Sequence, residues 1–147
     1  MDVSNLYQDI ILDHNRRPRN FGALENADRT ANGHNPLCGD ELKVWLRMDG
    51  DNIADVSFTA TGCAISRASA SVMTSAVKGK SRAEAARLFE QFHRLVTGAT
   101  STDDRALGSM AAFSGVSKFP ARVKCASLSW HTLRSALDSE PAPASTE

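Results

Sequence analysis

The residues with the clearest chemical potential are three cysteines, Cys38, Cys63 and Cys125. Asp40 lies two positions after the first, and three thiolates with one carboxylate form a ligand set that suits tetrahedral zinc. The spacing is not that of a CxxC ribbon, so by itself it indicates zinc only weakly. A lone cysteine is most often a small buried hydrophobe, and Asp40 beside a glycine is equally a turn former. The elements that carry these residues must therefore be considered.

Helix periodicity favours a functional role for two of the cysteines. Residues 63–77 predict a helix with one apolar stripe, and Cys63 points away from that stripe in the first turn, where unpaired N–H groups and the helix dipole favour a thiolate. Residues 120–137 predict the last helix, and Cys125 lies to the side of its apolar stripe. Each cysteine has an arginine near it on the same side of its helix, namely Arg67 and Arg122.

The other segments predict strands and helices that could position these residues. Residues 41–48 and 53–60 alternate between apolar and polar types around a turn at 49–52, which predicts a β-hairpin. Ser81 and Glu84 form a capping box at the start of a helix that reaches about residue 96. Further helices are predicted over residues 4–15 and 106–113. Asn32 and Gly33 weaken a strand prediction for the segment before Cys38.

Composition and charge exclude several classes of protein. The chain has 147 residues, 41% of them hydrophobic and 23% charged, which predicts one soluble domain over residues 1–140. The 17 basic and 17 acidic residues cancel, so the charge gives no reason to expect nucleic acid or a membrane surface as a partner. An odd number of cysteines without a signal peptide argues against disulfides and predicts a cytoplasmic protein. The small polar residues 141–147 predict a disordered tail.

Histidines and basic residues offer weaker candidates. His14 lies on the apolar face of the first predicted helix and is interpreted as a packed core residue. The other three histidines have no ligand-like spacing, and the chain lacks the HExxH, GxSxG and phosphate-loop patterns. The basic run at residues 16–19 suits a solvated loop, or part of a docking face.

Four motifs together resemble the IscU/NifU family of iron–sulfur assembly proteins. They are the Leu-Tyr…Asp-His…Pro-x-Asn-x-Gly pattern at residues 6–22, Asn-Pro-x-Cys-Gly-Asp at 35–40, Gly-Cys followed by Ser-x-Ala-Ser-Ala-Ser at 62–71, and the segment at 115–130 that contains Phe-Pro-Ala-Arg-Val-Lys-Cys. The resemblance extends over residues 4–137. Two features are similar to the SufU branch: the long segment between Cys63 and Cys125, and Lys124 where IscU-type scaffolds typically carry histidine.

The resemblance implies a fold and a site. The fold would be α+β, with an antiparallel three-stranded sheet covered by helices, a strand near residues 27–33, and a helical insertion between the second and third cysteines. The site would be zinc held by Cys38, Asp40, Cys63 and Cys125. Positive charge from Arg67, Arg122 and Lys124 could offset the negative ligand set.

The resemblance also implies a partner and a reaction. A pyridoxal-phosphate cysteine desulfurase of the SufS type would pass persulfide sulfur to a cysteine of this chain, and analogy within the family places the acceptor at Cys38. If a partner side chain replaces Cys38 on the metal, the freed thiolate becomes a good nucleophile.

Two alternatives use the same residues. Soft thiolates also hold iron, so the chain could be a scaffold on which an iron–sulfur cluster is assembled. It could instead be a non-catalytic zinc domain that binds partners. Other proteins of the Suf assembly system are possible further partners.

Overall fold

The computed structural model of this chain describes residues 3–36, 39–98, 108–138 and 144–145. In chain order the elements are α1 (Val3–Arg16), β1 (Arg29–Asn35), β2 (Asp40–Asp49), β3 (Asn52–Thr61), α2 (Ala64–Val77), α3 (Arg82–Thr97), a 3₁₀ helix (Gly108–Lys118), α4 (Pro120–Asp138) and β4 (Ala144–Ser145). Each element predicted from the sequence is present, with bounds that differ by a few residues. The short helix expected at 106–113 is a 3₁₀ helix that begins and ends later.

The sheet has the order β3-β2-β1-β4, and β1, β2 and β3 are antiparallel. Strand alternation places the cross-strand row Ala31, Val44 and Phe58 in the core. Asn32 and Lys43 lie in the next row, on the opposite and more exposed face. The α+β class with an antiparallel three-stranded sheet is therefore confirmed. The predicted strand at 27–33 begins two residues later than expected.

Helices α2 and α4 cover the inner face of the sheet. Gly33 permits the close approach of α4, since a Cβ at this position would lie 3.2 Å from Leu128 Cδ1 and would overlap the Thr132 hydroxyl. The glycine that weakened the strand prediction is thus a requirement of helix–sheet packing.

Between Cys63 and Cys125, where the resemblance implies a helical insertion, the structure has α2, α3 and the 3₁₀ helix. The capping box is confirmed: Ser81 Oγ accepts from the Glu84 N–H at 3.1 Å, and Glu84 Oε1 accepts from the Ser81 N–H at 3.2 Å. Aromatic packing joins α3 to α4, because the Phe92 ring centroid lies 5.0 Å from that of Trp130.

The C-terminal tail is described at two residues. Ala144 and Ser145 pair in parallel with Gly33 and His34 of β1, so these two residues differ from the expected disorder. The rest of that prediction concerns residues outside the described part, as does the boundary at residue 140. Among the helices that the structure describes, none is long and apolar enough to cross a bilayer.

Candidate metal centre

Asp40 begins β2 and is fully buried. Its Oδ1 accepts a hydrogen bond from the Cys63 N–H at 2.7 Å, which ties the start of α2 to the sheet. Gly62 makes this approach possible, because it has a φ of 122° and a Cβ there would lie 2.8 Å from the Asp40 Cα. The contact explains why a glycine precedes the cysteine.

Cys63 is the N-cap of α2, and its Sγ accepts from the Ser66 N–H at 3.5 Å. The sequence predicted a cysteine in the first turn directed away from the core, and the structure agrees, since Cys63 is half-buried. Cys63 therefore lies at a helix start, where backbone N–H groups have no partner within the helix.

Cys125 lies near the start of α4 and is 2% exposed. The sequence pattern places Cys125 to the side of the apolar stripe of this helix, yet its side chain is buried. Most residues of α4 from Cys125 onward are buried, because the helix packs against α2, α3 and the sheet. A single stripe marks the buried side only when the opposite side of a helix meets water.

The three described candidates come together. Single donor atoms of Asp40, Cys63 and Cys125 all lie within 4.8 Å of one another, and Asp40 Oδ2 lies 3.7 Å from Cys63 Sγ. Ligands of tetrahedral zinc are about 3.5–3.8 Å apart, given Zn–S bonds of about 2.3 Å and Zn–O bonds of about 2.0 Å. Two soft sulfurs and one carboxylate at this spacing could hold a metal ion after a small contraction. Sequence alone left Asp40 equally open as a turn residue, and its buried position in the group favours the ligand interpretation.

Cys38, the fourth predicted ligand and the predicted sulfur acceptor, lies outside the described residues. The strands on either side of its segment are described. Asn35 and Asp40 are cross-strand partners, so residues 36–39 join β1 to β2. Gly39 has a φ of 69°, a left-handed conformation that favours glycine. The assignments of Cys38 stay predictions.

The predicted supporting cations lie on or near the same two helix starts. The Arg67 guanidinium lies 4.8 Å from the centroid of the Phe21 ring, and the Arg122 guanidinium lies 5.6 Å from that of Phe119. Lys124 is half-buried one residue before Cys125. Their effect on the charge of the site stays a prediction.

One residue at the site was not singled out from the sequence. Asn35 is fully buried, and its Nδ2 lies 3.4 Å from Asp40 Oδ2 and 3.5 Å from Cys125 Sγ. The sequence contained it within the Asn-Pro-x-Cys-Gly-Asp motif, but local sequence does not indicate that an asparagine before a proline is buried.

His14 is buried, as its position on the apolar face of the first predicted helix indicated. Its Nδ1 lies 2.7 Å from Ser71 Oγ on α2. Burial, with a smaller contribution from the charge of Arg19, lowers the pKa of His14. His14 therefore joins two helices rather than binding a ligand.

Comparisons with known proteins identify a family. Residues 6–126 match the NifU-like N-terminal domain. The zinc-dependent sulfurtransferase SufU of Bacillus subtilis is 42% identical over 139 residues, which cover 95% of this chain and 94% of that protein. The iron–sulfur cluster assembly scaffold protein IscU of Streptococcus pyogenes is 38% identical over 135 residues, 92% of this chain and 84% of that protein.

A solved structure is similar over nearly the whole chain. It is that of a candidate iron–sulfur cluster assembly scaffold protein for the SUF system, FiSufU, from Fervidobacterium islandicum. The TM-score is 0.82 at 36% identity, with 92% of this chain and 99% of that chain covered. The range matched to the domain family includes Asp40, Cys63 and Cys125.

Proposed function

The chain belongs to the family of NifU-like N-terminal domains, and from this premise we propose that it is a zinc-dependent sulfurtransferase for iron–sulfur cluster assembly. Its sulfur donor is a cysteine desulfurase of the SufS type. The observation that carries the proposal is the convergence of Asp40, Cys63 and Cys125 within 4.8 Å, in a chain 42% identical to a zinc-dependent sulfurtransferase. A thiol at Cys63 suits a reducing cytoplasm.

The described ligands are held firmly by their own elements. Asp40 is fixed by β2 and by the Cys63 N–H, Cys63 by the first turn of α2, and Cys125 by a buried helix. Zinc, when bound, keeps its cysteine ligands as thiolates and reduces their nucleophilicity. Cys38, in the segment between β1 and β2, is the ligand whose release requires no movement of a helix. We therefore assign it as the sulfur acceptor.

The transfer is a thiol–disulfide exchange. The Cys38 thiolate attacks the terminal sulfur of the desulfurase persulfide and forms a new S–S bond. The old S–S bond breaks, and its electron pair leaves with the desulfurase cysteine as a thiolate. The reaction needs no external oxidant or reductant.

Two aromatic–arginine pairs support a docking face for the desulfurase around the metal centre. Phe21 is 46% exposed and lies against Arg67, which is four residues after Cys63. Phe119 is 56% exposed and lies against Arg122, three residues before Cys125. Exposed aromatic and arginine side chains are typical of the central contacts of protein interfaces. Arg16 at the end of α1 and Arg17 on the loop that leads to Phe21 extend the positive charge, while Arg19 is paired with Asp13 at 2.6 Å.

The test combines metal analysis with mass spectrometry. The purified protein is reacted with the desulfurase and cysteine, its thiols are blocked, and peptides are analysed for added sulfur. We expect zinc in the native protein, an added sulfur on Cys38, and stimulation of desulfurase turnover that Cys38→Ser abolishes while partner binding is retained. Sulfur found on Cys63 or Cys125 alone would contradict the assignment of Cys38. Turnover independent of every cysteine would indicate a domain that only binds partners.

The second candidate function is a cluster scaffold, favoured by the 38% identity to an IscU scaffold protein. Cys63 and Cys125 are soft ligands that accept iron as well as zinc. A brown protein from anaerobic purification that passes its cluster to an apo-ferredoxin would support the scaffold. A colourless zinc protein that accepts sulfur would support the transferase.

A further inference from the structure

Asn35 occupies a position where an amide is costly unless it is paired. It ends β1 with no exposed surface, directly opposite Asp40 on β2. Burying an amide without hydrogen-bond partners destabilises a folded protein. A turn-forming asparagine meets water and bonds to nearby backbone, whereas this side chain reaches a residue 90 positions away in sequence.

The amide contacts two of the three described metal-ligand candidates. Its Nδ2 lies 3.4 Å from Asp40 Oδ2 and 3.5 Å from Cys125 Sγ. The NH₂ group has two N–H donors, and both a carboxylate and a thiolate accept hydrogen bonds. The donor inventory of Asn35 therefore matches two ligands that belong to different elements, β2 and α4.

The carboxylate of Asp40 shows why this contact matters. Oδ1 is already bonded to the Cys63 N–H, so Oδ2 is the oxygen that faces Cys63 Sγ at 3.7 Å. A donor on Oδ2 fixes the rotation of the carboxylate about its last bond. The same amide contacts Cys125 as well, so it links the side chains of Asp40 and Cys125.

We propose that Asn35 is a positioning residue of the metal centre, which holds Asp40 and Cys125 at coordination distance and donates to their negative charges. The inference rests on the proposed zinc site and adds a residue that binds the ligands rather than the metal. Partners that hydrogen-bond to metal ligands typically contribute 10–100-fold to metal affinity.

The experiment compares three variants of Asn35 with two controls. Asn35→Leu keeps nearly the same shape without donors, Asn35→Asp keeps the shape and adds a repelling charge, and Asn35→Ser is a small substitute that keeps a hydroxyl but lacks the reach. Asn32→Asp makes the same charge change on the exposed face of β1. Val44→Ala weakens the buried core of β2 without touching a ligand.

Two measurements are made on each folded variant: zinc affinity by chelator competition, and the absorption spectrum of the Co²⁺-substituted protein. We expect Asn35→Leu and Asn35→Asp to lower zinc affinity about 10–100-fold and to shift the sulfur-to-cobalt charge-transfer bands. Asn35→Ser should fall between these and wild type. Both controls should keep the wild-type spectrum, even though Val44→Ala melts at a lower temperature.

The outcomes separate this inference from the proposed function. Wild-type protein that binds neither zinc nor Co²⁺ would overturn the metal centre itself. Wild-type protein that binds zinc, with Asn35 variants that match it in affinity and Co²⁺ spectrum, would overturn only the role of Asn35. A loss of affinity in Val44→Ala as large as in Asn35→Leu would show that general destabilisation is responsible, and would also overturn that role. If Asn35→Leu does not fold, Asn35→Ser decides the same comparison.

Discussion

Asp40 uses its two carboxylate oxygens for different purposes. Oδ1 accepts from the backbone of Cys63, and Oδ2 faces the Cys63 thiol at 3.7 Å. Two substitutions separate these purposes. Asparagine at this position keeps an oxygen that can accept from the Cys63 N–H, while alanine removes both oxygens.

We predict that Asp40→Ala lowers the stability of the zinc-free protein by about 1–3 kcal/mol, because the Cys63 N–H loses its buried acceptor. Asp40→Asn should be less destabilising. Both variants should retain zinc with altered ligation, since the cysteines remain and water can fill the vacant position. Thermal unfolding of the zinc-free proteins and zinc titration check these outcomes. If both variants match wild type in zinc affinity, sulfur transfer and metal choice, Asp40 is not a ligand.

Gly62 permits a contact that no other residue allows. Its φ of 122° is strained for any side chain, and a Cβ would lie 2.8 Å from the Asp40 Cα. We predict that Gly62→Ala costs more than the 1–3 kcal/mol typical of backbone strain alone, and that it weakens zinc binding by displacing Asp40.

Gly22→Ala is the matched control for Gly62→Ala. Gly22 has a φ of 118°, but a Cβ there meets no atom within 4 Å. The Gly22→Ala variant should therefore show the cost of backbone strain without a steric clash, and its zinc affinity should equal that of the wild type. Equal losses of stability and equal zinc affinities in the two variants, measured by denaturant unfolding and zinc titration, would contradict the proposed role of close packing at Gly62.

At the scale of the elements, α1 and the loop that follows it are joined to α2 by polar contacts. His14 Nδ1 and the Arg19 N–H both contact Ser71 Oγ, and Asn20 Nδ2 donates to Thr74 Oγ1 at 3.1 Å. Because His14 is buried at this contact between helices, the packing of α1 against α2 depends on pH.

We predict that the zinc-free protein loses stability as pH falls from about 7 to 5. Burial lowers the pKa of His14 in the folded state, so below the unfolded value of about 6.5 the unfolded chain binds more protons and is favoured. Burial also lowers the pKa of His131, helped by the charges of His93 and Arg134. Denaturant unfolding at several pH values measures the effect. His14→Asn should reduce the slope and exposed His34→Asn should not; equal slopes in wild type and His14→Asn would contradict the prediction.

Sequence patterns predicted the elements better than the environments of their residues. The α2 stripe placed Cys63 correctly because the N-terminal turn of that helix meets solvent at the site. The same pattern did not reveal the burial of Cys125, because α4 lies between the sheet and other helices. The burial of Asn35 depends on Cys125, a residue far away in sequence, so no local pattern could reveal it.

At the scale of the whole molecule, a metal held by Asp40, Cys63 and Cys125 connects β2, α2 and α4. Structural zinc contributes on the order of 10 kcal/mol in small zinc domains, and this chain, with a larger core, should depend on it less. We predict that zinc removal lowers the melting temperature and loosens the segment joining β1 to β2. Calorimetry before and after verified removal by a chelator tests the prediction. An unchanged melting curve would rule out a structural role for the metal.

The burial of α4 has a consequence for local opening of the native state. Amide protons at the centre of a helix enclosed on most sides exchange with solvent mainly when the whole domain unfolds, whereas protons at a helix start exchange through smaller fluctuations. We therefore expect the amide protons of α4 that follow Cys125 to exchange slowly, and those near Cys63, the N-cap of α2, to exchange faster. Exchange rates along α4, with and without zinc, would report how much zinc stabilises the entire fold. Exchange rates near Cys63 would report how much zinc stabilises the start of α2 alone.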